Sequence, residues 1–457
     1  MNLSSTLAVM ALAASSAAHS SDPLQGWMAE HAVTVRSIDA GDEDFSDLEP
    51  LMTAIGSSHV VQMGEPSHGA GSAFAAKVRL IKFLHQRMGF DVLVWESGLY
   101  DVRLAQAALR TDEDPVTAAR RGILTVWSNA EEVRPLLEYV KASQASTRPI
   151  DVAGMDMKPT AARTDDLFIA DLRSFAGALP DPALRTRVSA LVDRVAESYG
   201  RVLAPSKKED LQAFQKAADD LLAALRSHRS SFEAVRGSLE IAFVEHAVAN
   251  LRGHGTSSYH RRRADRPTGP AANVLDFEEW NRRDALMASN LQWLIKERYA
   301  GRKVIVWAHN AHLMNGYFAA DWASVHTKAQ PGGMKPTGAY IAELLKEDVY
   351  SIAVTTYEGE ENWANGQMHG AIAPASEGSF ESRLHALGKP YVFLDFRAVD
   401  GLPKHPMHTP QSMRISGYGK PTSPYGNDTV PDLTKAYDAV FFIDRMAPAT
   451  SIPVAKP

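Results

Sequence analysis

The sequence predicts an α/β fold, a mixed or mostly parallel central sheet flanked by helices with a helical insertion, and three observations carry that expectation. Short apolar runs rich in β-branched and aromatic residues alternate with helical patterns, as in a sheet covered by helices. A long polar stretch, about 160–300, repeats its apolar residues at helical spacing and has few strand signals. Ionisable residues stand just beyond the carboxyl ends of the first four runs, where an open α/β sheet places its ligand crevice.

Taken in order, residues 1–20 hold no Lys, Arg, Asp or Glu and contain an apolar stretch at 7–14 followed by small residues, which reads as a signal peptide and an exported, periplasmic or secreted protein. That stretch is well short of the roughly 20 residues a membrane span needs, so no stable span is expected. One domain is expected over 21–457, with predicted strands at 60–63, 91–95, 150–153, 303–307, 350–355, 391–394 and 439–443. A helix is expected over about 70–86, with Phe74, Val78, Ile81 and Leu84 on one apolar arc. Within the insertion, Leu184, Val188, Leu191 and Val195, and then Leu211, Phe214, Ala218, Leu221 and Leu225, follow three- and four-residue steps and are expected to pack. Glycines, prolines and charge at 253–270 predict an exposed loop, and 446–457, with three prolines and no periodicity, predicts an irregular tail.

Composition narrows the function. A chain of 457 residues with 45% hydrophobic content can bury a large core. A net charge of −6 and a single short basic run, Arg261 to Arg263, read as solvated loop, argue against nucleic acid as a partner. The absence of cysteine excludes disulfides, a thiol nucleophile and cysteine-ligated metal. There is no Gly-x-Ser-x-Gly elbow, Walker A loop or dinucleotide fingerprint, so a serine-hydrolase mechanism and nucleotide cofactors have no anchor.

The polar residues at the strand ends are more informative. In GEPSHG (64–69) the Glu-x-x-His spacing lets Glu65 orient the ring of His68, and imidazole is suited as a class to accept a proton from water near neutrality. Glu96 ends the second run, and a carboxylate there needs a cation, histidine or metal as partner. Asp156 follows the third, and His309 and His312, in WAHNAH (307–312), follow the fourth. Lys77 falls inside the apolar arc of its helix, either snorkelling to the rim or pointing a cation into the crevice, whereas Arg79 lies on the far side as a solvated or ion-paired residue.

GEPSHG, VWESG (94–98), GMDM (154–157), NRRDALMASN (281–290) and VIVWAHNAH (304–312) together resemble the erythromycin esterase family in order and spacing, over about 55–445. Weaker echoes lie at 335–340, 379–381 and 437–440. The resemblance implies hydrolysis of a small-molecule ester or macrolide lactone by activated water, with no covalent acyl-enzyme and no required cofactor. It implies His68 as general base, Glu65 and Glu96 as orienting carboxylates and His309 as an aid to proton transfer, with His312 beside it. Arg283 matches the family's arginine in NRRD and would bind the oxyanion. Lys77 stands where the family commonly has arginine, which keeps the charge and loses the guanidinium fork.

Two other readings stand beside this one. In a metal-dependent hydrolase, Glu65, His68, Glu96 and His309 would ligate a divalent metal and converge to about 2.0–2.2 Å around one point. A non-catalytic exported binding protein would use the same crevice to hold a small molecule.

Overall fold

The computed structural model of the protein describes residues 22–161, 164–263, 266, 270–316, 334–366, 368–415 and 428–453. The expected signal segment lies outside the described residues. The strands are β1 (Val33–Thr34), β2 (Val60–Met63), β3 (Phe90–Gly98), β4 (Asp151–Asp156), β5 (Lys303–Trp307), β6 (Val349–Asn362), β7 (His369–Ile372), β8 (Tyr391–Asp395), β9 (Gln411–Met413), β10 (Asp428–Val430) and β11 (Ala439–Met446). Nine form one sheet in the order β1-β8-β11-β6-β2-β5-β3-β4, with β7 on β6, while β9 and β10 make a separate ribbon.

The sheet is mixed around a parallel centre. β11, β6, β2, β5, β3 and β4 run parallel, and β1, β7 and β8 join antiparallel. Every predicted run is a strand of this sheet, because a parallel strand covered on both faces is a nearly continuous apolar run; all of β2 is buried.

The helix Gly71–Met88 returns from β2 through the core and is buried on nearly every side from 71 to 85. The charged residues within that stretch are therefore not solvated. Arg79 is 1% exposed and ion-paired to Asp47 at 2.7 Å, with the Ser37, Asp42 and Asp44 carbonyls accepting its remaining N–H groups; Lys82 donates to the Ala40 carbonyl at 2.7 Å. The segment 35–47 covers this face with carbonyl and carboxylate oxygens, the acceptors that make burial of cations tolerable.

Between β4 and β5 the chain runs through helices Thr164–Gly177, Pro182–Val202, Lys208–Ser227, Arg229–Arg236, Ser238–Arg262 and Pro270–Trp293. The apolar steps at 184–195 and 211–225 are buried along the facing sides of the second and third of these. The expected loop at 253–270 is wrong over its first ten residues, which complete a helix reaching Arg262, so Arg261 and Arg262 of the basic run are helical and Arg263 follows the helix end. Its glycines serve close packing: a Cβ on Gly253 would lie 2.4 Å from Leu286 Cδ1, and one on Gly255 would lie 2.4 Å from Phe214 Cε1.

After β11 the chain is irregular, as expected, but pinned. Ala447 N–H donates to Ser72 Oγ (2.8 Å), Ala449 N–H to the Gly69 carbonyl (3.0 Å) and Ile452 N–H to the Asn129 carbonyl (2.7 Å). Ala449 and Ile452 are buried. Among the described residues no helix is long and apolar enough to cross a membrane.

Candidate active site

Because β2, β5, β3 and β4 are parallel neighbours, their carboxyl ends share one edge, and the loops that leave it are stitched together. Asn310, just past β5, donates from Nδ2 to the Val354 carbonyl (2.8 Å) and accepts from Val354 N–H (3.1 Å), while its own N–H reaches the Glu65 carbonyl (2.8 Å). Gly64 makes room for this, since a Cβ there would sit 2.0 Å from Asn310 Oδ1. A Cβ on Gly69 would likewise lie 2.6 Å from Trp363.

At the end of β2, Glu65 is fully buried. One carboxylate oxygen accepts from His68 Nδ1 (2.8 Å) and Trp127 Nε1 (2.9 Å), and the other accepts from Lys77 Nζ (2.7 Å). Burial works against the carboxylate, yet Lys77 and His68 outweigh it and hold Glu65 below the usual range. Burial also brings Lys77 down to about 8 against the pull of Glu65, its ammonium lying 4.1 Å from the Trp307 ring centroid. Lys77 thus neither snorkels to a rim nor faces a substrate oxygen, being 0% exposed behind Glu65. The His68 side chain is 17% exposed, ringed edge-on by Trp127, His309 and Trp363, and Nε2 has no partner among the described residues.

The ends of β3, β4 and β5 carry a second cluster. Arg283 grips Asp156 through Nε (3.1 Å) and Nη2 (2.6 Å), and Nη2 also donates to Glu96 (2.6 Å). The other Glu96 oxygen accepts from the backbone N–H of His309 (2.9 Å). Burial opposes their ionisation, but His312 and Arg283 hold Glu96 well below the carboxylate range and Arg283 holds Asp156 below it. His312 stacks on Trp280 at 4.4 Å, and its Nδ1 donates to Asp284 (2.9 Å). Burial resists charge on this ring as well, and Asp284 and then Glu96 overcome it, raising His312 to about 9. The 3.0 Å approach of Arg283 Nη1 to Nε2 needs that nitrogen's lone pair, so protonation exchanges this bond for one to Glu96, 3.3 Å away.

His309 differs from its expected part in proton transfer. Its Nε2 donates to the Pro66 carbonyl (3.0 Å) and its Nδ1 accepts from Ala311 N–H (3.1 Å), so both nitrogens are committed to backbone; burial, with the His68 ring close by, pushes it down to about 3. Arg283, expected at the oxyanion, has its Nε and Nη2 donors on carboxylates, and its Nη1 faces only His312 among the described residues. Sequence reasoning missed Trp127, Trp280 and Asp284. Asp284 had a signal, standing beside Arg283 in NRRD; the two tryptophans had none.

The family described as Erythromycin esterase matches residues 85–446. The chain belongs to the erythromycin esterase family. The match takes in Glu96, Asp156, Arg283, His309 and His312 and begins after Glu65, His68 and Lys77. Among curated relatives, hydrolase YbfO of Bacillus subtilis (strain 168) is 25% identical over 93% of this chain and 92% of its own length. Erythromycin esterase type II of Escherichia coli is 19% identical over 88% of this chain and 93% of its own. A solved erythromycin esterase variant in its open conformation shares the fold, with a TM-score of 0.65 at 16% identity over 92% of this chain and 99% of that one. Membership of this family points to hydrolytic chemistry.

Proposed function

We propose that the protein hydrolyses a carboxylic ester or lactone with water activated by His68. The observation that carries this reading is the asymmetry of the His68 ring: Nδ1–H is tied to a buried carboxylate, which fixes the tautomer, while Nε2 keeps its lone pair toward the crevice. Nε2 takes a proton from water as that water attacks the carbonyl carbon, Glu65 stabilises the imidazolium, and His68 then returns the proton to the departing alkoxide. The remaining Nη1 N–H of Arg283 faces the developing oxyanion. His309 is a positioning residue, joining the His68 loop through Pro66 to Glu96.

Support for this route over a metal-dependent one comes from the donor atoms. Both oxygens of Glu65 and both of Glu96 already accept protein hydrogens, His309 spends its Nε2–H on the Pro66 carbonyl and its Nδ1 lone pair on Ala311 N–H, and the described residues contain no group of three or more His, Asp or Glu side chains disposed to hold a metal. A pure binder has no use for an oriented His–Glu pair beside an open nitrogen.

Incubation with erythromycin and a panel of simpler esters and lactones, read by mass spectrometry for hydrolysed product, tests this. Turnover is expected in wild type, with and without chelator, and a loss of about 10²–10⁴-fold in kcat for His68→Ala. No turnover of any ester or lactone, or an unaffected mutant, overturns the reading.

A further inference from the structure

β4 ends at Asp156, and the chain turns there into Lys158, whose backbone N–H donates to Asp156 Oδ1 at 3.1 Å. The ammonium of Lys158 has no ion pair or hydrogen bond among the described residues, since the Asp156 carboxylate is engaged by Arg283. On the facing helix, His254 Nδ1 and Asn250 Nδ2 are buried without partners. They are four residues apart and so lie on one helical face. All three groups line one pocket that shares Asp156 with the crevice.

The two buried donors left unmade beside the half-buried ammonium of Lys158 are costly unless something accepts from them. His254 is neutral, since burial pushes it down to about 4, and when the Ser258 hydroxyl, 3.4 Å away, donates to its Nε2 the ring hydrogen stands on Nδ1. Lys158 is brought down to about 8 by Arg283 first and by burial second, so the positive field around it is not balanced by the nearby carboxylates. The pocket wall also includes Asp101 and Asp165. Asp101 is engaged by the N–H groups of Thr160 (3.2 Å) and Ala161 (2.9 Å) and by the Thr164 hydroxyl, and burial raises Asp165. These acids limit an incoming group to one negative charge. A planar carboxylate, with two oxygens and about four lone-pair directions, can accept from all three donors at once.

We propose that Lys158, His254 and Asn250 form a carboxylate-binding subsite, and that it selects esters carrying a second, non-reacting carboxylate. The proposal rests on the ester-hydrolase reading for its substrate half, and its binding half stands without it.

Two measurements separate the halves. Calorimetric titration with succinate, glutarate and adipate is expected to show saturable binding to wild type and to His68→Ala. That binding should weaken about tenfold or more in Lys158→Met and in Asn250→Asp, with partial recovery in Lys158→Arg and circular dichroism confirming that each variant is folded. Hydrolysis of mono-aryl esters of the same diacids is then compared with neutral aryl esters of matched length: the ratio of kcat/KM for charged over neutral substrates is expected to exceed one in wild type and to fall about tenfold or more in Lys158→Met. Absence of turnover with intact, Lys158-dependent binding defeats the hydrolase reading alone. Absence of binding, binding indifferent to Lys158, or a preference for neutral hydroxylated esters overturns the subsite and marks the pocket as merely hydrated.

Discussion

At the end of β2, Glu65 orients one histidine and leaves the far nitrogen of that ring unpartnered; at the ends of β3 and β4, Glu96 and Asp156 share a single arginine whose donors are almost all engaged. Both regions are buried clusters of carboxylates, cations and histidines beside tryptophan, and they differ in what is left over. The first keeps one basic nitrogen open, which is what proton transfer requires. The second leaves one arginine N–H and is otherwise a brace across three strand ends. Residue type alone does not divide reacting from supporting groups at such an edge; the count of unmade hydrogen bonds does.

That contrast can be broken most severely at Arg283. Arg283→Met strips Glu96 and Asp156 of their shared cation, and a buried Asp156 left without its partner beside a Glu96 held by His312 alone is expected to cost about 3–5 kcal/mol in denaturant unfolding. His68→Ala, which removes only an open nitrogen and its orienting bond, should leave stability within about 1–2 kcal/mol while activity collapses. Equal stability losses in the two variants would erase the distinction.

A pH titration of stability sharpens it. His312 is raised from 6.5 to about 9, so its contribution is fully present below about 6.5 and is lost as pH rises through about 9. Unfolding free energy is expected to fall by on the order of 1–3 kcal/mol across that window, and His312→Gln should flatten the slope. An unchanged slope in that variant would mean that the ring is neutral throughout and accepts from Arg283 at all these pH values.

The smallest effects concern the glycines that hold the helices behind the crevice. Gly255→Ala places a methyl against Phe214 and is expected to cost about 1–3 kcal/mol in thermal unfolding, whereas Gly200→Ala, in the last turn of its helix with nothing within 4 Å, should be neutral or stabilising by up to about 1 kcal/mol. Similar losses at both positions would show that helical packing, and not space at Gly255, sets the effect.

The fold was legible where burial leaves a one-dimensional trace. The parallel strands are continuous apolar runs, and the residues at their ends could be named because strand ends are where a sheet exposes polar groups. What stayed hidden depends on partners distant in sequence. Lys77 and Arg79 read as residues with a way out to solvent because the covering segment 35–47 carries no helical or strand period, and only its oxygens explain why cations can be buried there. Gly253 and Gly255 looked like loop glycines because close packing and backbone freedom call for the same residue. β1, β7, β9 and β10 are two to four residues long, too short for a pattern. Trp127 meets Glu65 from 62 residues away with no local signal.

The bonds that tie 447–452 to Gly69, Ser72 and Asn129 set an order of assembly. The turn bearing His68 is synthesised before almost all of the sheet, yet its backbone partners at 447–452 emerge only after β11. A nascent chain stalled short of residue 447 carries every proposed reacting group and lacks the clasp that closes their loop, so hydrolysis is expected only once 447–452 have joined it.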